Sequence, residues 1–385
     1  MTECTRAGGE RRPGGRSVGG AIDADVHPYF RHGLRDLEPY LDDAWSYVLR
    51  IGEQSLPDGF PNSTFTLPTT HYINPGGGLR GDAASPSGGP PASDPVFVAK
   101  ELFDGYGFGA ASLIGGNLLA LGGVANPNLA AALAGAHNHW LADRWLATDD
   151  RFLGSIYVAP QAPEHAVREI RKWAAHPRMA QVFVPNSNTL LGKPHFHQIY
   201  RAAAGAGLPI AAHPGGSLAG VNGYMTAVEA PTTYIEYHTA IPQIFQAHAI
   251  SLVVEGVLES FPDLRFGLLE GGFAWLPHVM WRLDKNWRGL RAEVPWLRRR
   301  PSEYLRESLR LTTQPLYEPD DPRDVERVID LAGAQDMVMF STDYPHWDFD
   351  SPTESLRRLP ADLTDRMMRR TPQAYFRRPT DRPES

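Results

Sequence analysis

The chain places two acidic residues and a histidine at alternate positions near its start. In the stretch AIDADVHPYF, residues 21–30, Asp23, Asp25 and His27 stand two positions apart. Alternate residues share a face on a β-strand, so these side chains would lie together at a strand end. Buried acids are costly unless a cation neutralises them. Two interpretations stay open here: a metal site that uses Asp25 and His27, or acids that cap turns beside a surface histidine.

Three other apolar runs also stop at a side chain that could bind a metal or transfer a proton. His213 follows LPIAA and Glu270 ends RFGLLE, each before Gly-Gly, and Asp343 follows MVMFST. Turn chemistry explains one such residue, but it does not readily explain four. His346 follows Asp343 closely enough to line the same pocket, although a packed loop residue fits the sequence equally well. His238 could also point at the site, but its Gln- and Ala-rich surroundings favour a structural helix.

These residues can form one site only if the ends of their strands lie close together. The order of apolar runs and helical patterns along the chain predicts such strands. Apolar runs alternate with helical patterns such as Asn128–Ala147, which indicates parallel strands covered by helices. Eight runs favour a closed (β/α)8 barrel, in which the active site lies at the C-terminal ends of the strands. The predicted strands are Ala21–Val26, Ala110–Ile114, Phe152–Val158, Ala180–Val184, Pro209–Ala212, Leu264–Leu269, Leu309–Thr312 and Met337–Phe340.

The domain organisation follows from where this pattern begins, ends and is interrupted. We predict one barrel domain over residues 21–378, between a Gly- and Arg-rich N-terminal tail (1–20) and a short C-terminal tail (379–385). A long insertion, Ile51–Asp94, follows the first strand and is rich in glycine, proline and serine. Such a segment is either a linker or a lid over a site.

Composition excludes several classes of function. The 37 basic and 44 acidic residues give a net charge of −7, which does not suit a nucleic-acid partner. Cys4 is the only cysteine, so no disulfide can form within the chain and a reducing compartment fits. No apolar stretch approaches the roughly 20 residues that a membrane span needs. The expected location is the cytoplasm, with a small molecule as partner, and a homodimer stays open.

Six segments together resemble a known family. They are DADVHP, LFDGYGFGAASLIGG, DDRFLGSIYVAP, GLPIAAHPGG, FPDLRFGLLEGGFAWLPHVMWRLD and FSTDYPHWD. The chain is similar to the amidohydrolase-related branch of the metal-dependent hydrolases, which includes aminocarboxymuconate-semialdehyde decarboxylase. The resemblance spans residues 21–377 and implies a metal-dependent (β/α)8 barrel. It also implies four metal ligands, Asp25, His27, His213 and Asp343.

Two positions of this chain depart from the pattern of that family. A third position, at the end of the fourth strand, bears on how many metal ions the site would hold. Many relatives carry a histidine where this chain has Asp25, and many carry a histidine where it has Glu270. The fourth strand ends in MAQVFVPNSN without the carboxylate that would bridge two metals, which argues for a single metal. Two imidazoles and two carboxylates suit Zn²⁺ best, with Mn²⁺ or Fe²⁺ as alternatives.

The resemblance implies an enzyme with one divalent metal. The main hypothesis is hydrolysis of a C–N, C–O or C–C bond in a small aromatic or carboxylated compound of secondary or catabolic metabolism. Asp343 would take the proton of the attacking water, and Glu270 would protonate the leaving group or position the substrate. Alternatives within the family are a non-oxidative decarboxylase (a carboxy-lyase) and a ring-closing enzyme. An alternative of another class is a non-catalytic binding protein on a degenerate barrel.

Overall fold

Eight parallel strands form one sheet in sequential order. A computed structural model describes residues 18–49, 78–215 and 231–376. Residues 1–17, 50–77, 216–230 and 377–385 lie outside the described residues; they take in most of the predicted N-terminal tail, most of the insertion and the whole predicted C-terminal tail. The strands are β1 Ile22–Val26, β2 Ala110–Leu113, β3 Phe152–Tyr157, β4 Met179–Phe183, β5 Ile210–Ala212, β6 Phe266–Leu268, β7 Leu309–Thr312 and β8 Val338–Met339.

Every residue of these strands is buried. Parallel strands with both faces covered read as continuous apolar runs, which is why the sequence located all eight. The first and last strands complete the ring: the backbone N–H of Ala24 donates to the carbonyl of Phe340 at 3.0 Å, and Val26 forms a parallel bridge with Tyr344. The predicted (β/α)8 barrel is therefore confirmed.

Helices follow the strands and cover the outside of the barrel. The α-helices are α1 Asp43–Val48, α2 Pro95–Ala99, α3 Pro127–Trp140, α4 Pro163–Trp173, α5 His197–Ala206, α6 Tyr234–Ala240, α7 Pro242–Val254, α8 Val257–Ser260, α9 Leu276–Leu290, α10 Pro301–Ser308, α11 Arg323–Ala332, α12 Ala361–Asp365 and α13 Thr371–Tyr375. Short 3-10 helices span Arg35–Tyr40, Gly81–Ala83, Gly116–Gly123, Pro194–Phe196 and Arg291–Glu293, and π-helical turns span Lys100–Gly105, Leu141–Leu146 and Arg366–Arg370. Over the described residues, no helix has the length and apolar character needed to cross a membrane.

Local sequence signals set the ends of several helices. Helix α3 begins at Pro127, and the side chain of Asn126 accepts hydrogen bonds from the first free backbone N–H groups. The predicted helix Asn128–Ala147 continues past α3 as the π-helical turn. Helix α5 stops at Gly207, which adopts φ 68°, a left-handed conformation that glycine accepts without a steric penalty. The chain then enters β5, which carries His213 at its end.

A layer of hydrogen-bonded polar side chains lies inside the barrel, and the last helix, α13, contributes one of them. The Gln181 amide donates to the hydroxyls of Ser112 and Ser155 at 3.0 and 2.8 Å. The buried Tyr375 hydroxyl of α13 shares its single proton between two acceptors, Gln181 Oε1 at 3.1 Å and the carbonyl of Ile210 at 2.9 Å. Helix α13 thus inserts an aromatic side chain into the N-terminal end of the barrel, opposite the strand ends that carry the predicted site.

Candidate metal centre

The structure brings together the four residues that the sequence predicted as metal ligands. Asp25 is the last but one residue of β1, His27 directly follows that strand, His213 directly follows β5, and Asp343 lies in the loop after β8. Each offers one ligand atom, these atoms all lie within 4.8 Å of one another, and all four residues are buried. His27 Nε2 lies 2.8 Å from Asp343 Oδ1, and His213 Nε2 lies 3.1 Å from Asp25 Oδ2. We call these four residues the ligand cluster.

Backbone carbonyls orient both imidazoles of the ligand cluster. His27 Nδ1 lies 2.9 Å from the carbonyl oxygen of Ile114, and His213 Nδ1 lies 2.6 Å from that of Pro214. A carbonyl oxygen can only accept, so Nδ1 carries the proton and Nε2 faces the cluster. Metal-binding histidines show this arrangement almost always, because the second hydrogen bond fixes ring orientation.

The chemistry of the donor set fits a cation. Within the described part of the chain, Asp343 Oδ2 is buried without a hydrogen-bond partner, and the two carboxylate oxygens of Asp25 approach His27 Nε2 and His213 Nε2 at 3.4 and 3.1 Å without a well-formed hydrogen bond. Burying such atoms without a partner is costly, and a bound cation removes that cost. Burial would lower the pKa of His213, but the carboxylates of Asp25 and Glu270 outweigh it and raise that pKa to about 9. The same negative field would attract a divalent cation.

The backbone is left-handed at two site positions. Asp343 has φ 58° and Glu270 has φ 55°, values that non-glycine residues seldom adopt. Such strain persists only where the surroundings impose it, and it concentrates at functional sites. The Gly-Gly that follows Glu270 permits this turn, because a Cβ on Gly272 would lie 2.1 Å from the hydroxyl of Tyr317. The Gly-Gly that ends this apolar run in the sequence therefore marks a turn with no room for a side chain at Gly272.

Glu270 lies between the ligand cluster and a histidine that the sequence did not place in the site. Its Oε2 is 3.1 Å from His213 Nε2, and its Oε1 is 3.6 Å from His238 Nε2. His238 Nε2 also lies 3.3 Å from Asp348 Oδ2, which accepts a hydrogen bond from the Gln314 amide at 2.9 Å. Burial opposes protonation of His238, but Asp348 and Glu270 raise its pKa to about 10.

His346 contacts the ligand cluster from the side. Its Nδ1 lies 2.7 Å from Asp343 Oδ1, its Nε2 lies 3.1 Å from the hydroxyl of Tyr29, and its ring stacks on His27 with centroids 4.6 Å apart. Although burial opposes it, Asp343 and Tyr29 raise the pKa of His346 well above its usual value. The sequence placed His346 near Asp343, but Tyr29 carries no strand-end signal and was missed.

An aromatic rim borders His238. We define it as Tyr234 of α6 and Trp347 of the loop after β8. Trp347 Nε1 donates to the Tyr234 hydroxyl at 3.2 Å, and the indole ring lies 6.0 Å from the His238 ring. Trp347 is nevertheless 44% exposed. A large side chain held in place by hydrogen bonds yet open to solvent suits contact with a ligand.

The described end of the insertion contacts the same loop. The backbone N–H of Trp347 donates to the carbonyl of Gly78 at 3.2 Å, and that of Arg80 donates to the carbonyl of Pro345 at 2.8 Å. Leu79 and His346 form an antiparallel bridge. Residues 78–80 therefore pack against the loop that follows β8 and carries His346 and Trp347.

Solved structures share this fold at low sequence identity. An amidohydrolase from Mycobacterium avium subsp. paratuberculosis K-10 is 21% identical, with a TM-score of 0.68, over 93% of this chain and 98% of that one. The 5-carboxyvanillate decarboxylase of Sphingomonas paucimobilis is 20% identical, with a TM-score of 0.63, over 93% and 99%. A dihydroxybenzoic acid decarboxylase from Polaromonas sp. JS666, with bound manganese and the inhibitor 2-nitroresorcinol, is 18% identical, with a TM-score of 0.61, over 93% and 97%.

Family membership rests on the sequence. No curated protein matches the chain. The model of the amidohydrolase family matches residues 22–378, which span all eight strands and the ligand cluster. Because that match covers nearly the whole chain, the chain belongs to the amidohydrolase family.

Proposed function

We propose that this protein is a metal-dependent non-oxidative decarboxylase that acts on a small hydroxylated aromatic acid. The observation that carries the proposal is the place of His238 beside the ligand cluster, 3.6 Å from Glu270 and 3.3 Å from Asp348, where these two carboxylates outweigh the effect of burial and raise its pKa to about 10. Loss of carbon dioxide leaves an electron pair on carbon, and a positioned acid must protonate that carbon. His238 is such an acid, whereas hydrolysis would first require a base. The site therefore fits the carboxy-lyase alternative better than the main hypothesis from sequence.

Asp25, His27, His213 and Asp343 would hold one divalent cation. Once bound, the cation would polarise a carboxylate or phenolate of the substrate and stabilise the negative charge that develops. Two nitrogen and two oxygen donors suit Zn²⁺ and also Mn²⁺. Asp343 Oδ1 contacts both His27 and His346, so His346 would act through Asp343 and not on the substrate.

The protein groups would move one proton in each turnover. The bond between the ring and the carboxylate breaks, and its electron pair stays on the ring carbon. His238 donates the proton of Nε2 to that carbon, and Glu270 and Asp348 stabilise the cation before the transfer. Solvent at the mouth then returns a proton to His238. Two structurally similar proteins are named as decarboxylases of hydroxylated aromatic acids, which supports this substrate class.

Hydrolysis is the second candidate, and one observation favours it. Asp343 Oδ2 is buried and, within the described residues, has no hydrogen-bond partner, so it could accept a proton from an attacking water. The two candidates differ in the direction of the first proton transfer. They therefore differ in product, since only decarboxylation releases carbon dioxide and places a solvent hydrogen on carbon.

The test is release of carbon dioxide from 2,6-dihydroxybenzoate and 5-carboxyvanillate by protein loaded with Mn²⁺ or Zn²⁺. In D₂O the product should carry one deuterium at the carbon that lost the carboxylate. His238→Gln should keep its metal and lose roughly 10²–10⁴-fold in turnover, the range for general acid–base catalysis. His278→Gln, at an exposed position on α9, is the matched control and should behave as the unmodified chain. Hydrolysis of an ester or amide panel without carbon dioxide release would instead establish the second candidate.

The aromatic rim should bind the ring of the substrate. Trp347→Ala removes the indole, and stacked aromatic pairs contribute about 0.5–1.5 kcal/mol, so the KM for the aromatic acid should rise by roughly 2- to 12-fold. The kcat should change little, because Trp347 lies beyond His238. Trp281→Ala, at a 56% exposed tryptophan on α9, is the control. An unchanged KM, or an unchanged affinity for 2-nitroresorcinol in a spectrophotometric titration, would remove Trp347 from the binding site.

A further inference from the structure

Asp23 is a buried carboxylate next to the ligand cluster that does not belong to it. It occupies β1 two residues before Asp25 and is completely buried. Its Oδ1 accepts hydrogen bonds from the backbone N–H of Thr342 at 2.9 Å and from that of Asp25 at 3.3 Å. Its Oδ2 accepts from the Thr342 hydroxyl at 2.6 Å. One carboxylate therefore contacts the backbone beside both Asp25 and Asp343.

These contacts cross the junction between the first and last strands. In the described part of the chain, the backbone N–H of Ala24 donates to the carbonyl of Phe340 here, and that of His27 donates to the carbonyl of Tyr344. Asp23 adds three bonds across or beside this junction, all in the dry interior. Losing one of these bonds would leave a buried polar group without a partner, which is costly, so the three contacts restrain the local backbone.

The partner of Asp23 controls the backbone on both sides of Asp343. Thr342 precedes Asp343, and the Thr342 hydroxyl also accepts a hydrogen bond from the backbone N–H of Tyr344 at 3.2 Å. Asp343 between them has φ 58°. A left-handed aspartate would relax without external restraint, and relaxation would turn its carboxylate away from His27.

We infer that Asp23 is a positioning residue that sets the distance between the carboxylates of Asp25 and Asp343, and through it the affinity of the site for a divalent cation. Asp23 does this through hydrogen bonds to Thr342 and to the Asp25 backbone, and it contacts neither metal nor substrate. Partners that orient metal ligands typically contribute 10- to 100-fold to metal affinity. The inference concerns metal binding alone, so it holds for a decarboxylase and for a hydrolase.

Two pairs of variants test it, with Co²⁺ as the probe. Asp23→Ala removes the acceptor, and Thr342→Val removes the hydroxyl while keeping the shape of the side chain. Both should raise the Kd for Co²⁺ by roughly 10- to 100-fold in the full chain and change its visible absorption spectrum. Asp23→Asn keeps an oxygen for the backbone N–H groups, and Thr342→Ser keeps the hydroxyl. Both should bind Co²⁺ close to the affinity of the unmodified chain, with its spectrum.

A purely structural role predicts a different pattern. In that case Asp23→Ala and Thr342→Val would lower the Tm measured in chelator, while folded protein would keep the Kd and the Co²⁺ spectrum of the unmodified chain. That result would overturn the inference. If Asp23→Ala does not fold, the comparison of Thr342→Val with Thr342→Ser decides the question alone, because both retain the backbone contact and only Thr342→Ser retains the hydroxyl.

Discussion

Replacing His213 by alanine should abolish stoichiometric metal binding. The unmodified chain should hold about one divalent metal through Asp25, His27, His213 and Asp343, whereas the variant loses one of two nitrogen donors. A ligand that binds only the folded state stabilises it by about 2.7 kcal/mol at one hundred times its Kd. The unmodified chain should therefore gain in Tm when Mn²⁺ or Zn²⁺ is added after chelation, and the variant should gain nothing. Elemental analysis and thermal unfolding on one preparation measure both effects.

The control for this prediction is His278→Ala on the outer surface of α9, which should keep its metal and its Tm gain. Two metals per chain, or none after gentle purification of the unmodified protein, would contradict a single-metal site. Normal metal content in the His213 variant would show that the cation lies elsewhere.

Replacing Glu270 by glutamine should leave the metal in place and reduce turnover by roughly 10²–10⁴-fold, as general acid–base catalysis requires. The substitution keeps size and hydrogen bonding but removes the carboxylate that contacts His238 at 3.6 Å. Glutamine cannot hold a proton or stabilise the imidazolium. The pKa of His238 should fall, because Glu270 is one of the two carboxylates that raise it.

Metal content and rate must be measured on the same sample to separate the possible roles of Glu270. Loss of metal would make it a fifth ligand, since its Oε2 also lies 3.1 Å from His213 Nε2. Near-normal turnover would make it a bystander. Glu293→Gln, an exposed glutamate in the turn after α9, controls for the change in net charge and should leave both quantities unaltered.

Much of the fold was predictable because the strands are buried on both faces. An apolar run such as Leu309–Thr312 coincides with β7, and Leu264–Leu269 extends beyond β6 by only a few residues. The differences lie at strand ends, where apolar residues continue to pack after regular pairing stops. The ligand cluster was predictable for the same reason: His213 and Asp343 stand where an apolar run ends, and the barrel brings such ends together.

The rest of the site depends on contacts that no local pattern encodes. His238 lies on α6, far along the chain from the strand end of β5, and only the packing of that helix over the barrel brings it to Glu270 and Asp348. The residues around His238 have the composition of a structural helix, and the sequence therefore favoured a structural role for this histidine. Tyr29 reaches His346 from the loop after β1, and nothing in its neighbours marks it. Strand-end residues are thus identifiable from sequence, whereas residues supplied by helices and loops are not.

The insertion of Tyr375 into the barrel has a consequence for biosynthesis. Tyr375 completes a hydrogen-bond network with Gln181, which lies 194 residues earlier in the chain. At about 5–20 residues per second, a ribosome needs roughly 10–40 s to make the residues between them. During that interval the amide and serine hydroxyls of β2 to β4 lack this partner, so the nascent chain cannot reach its final packing. We expect chaperones to bind the incomplete barrel during this interval. We also expect the native packing to form only after α13 has left the exit tunnel of the ribosome.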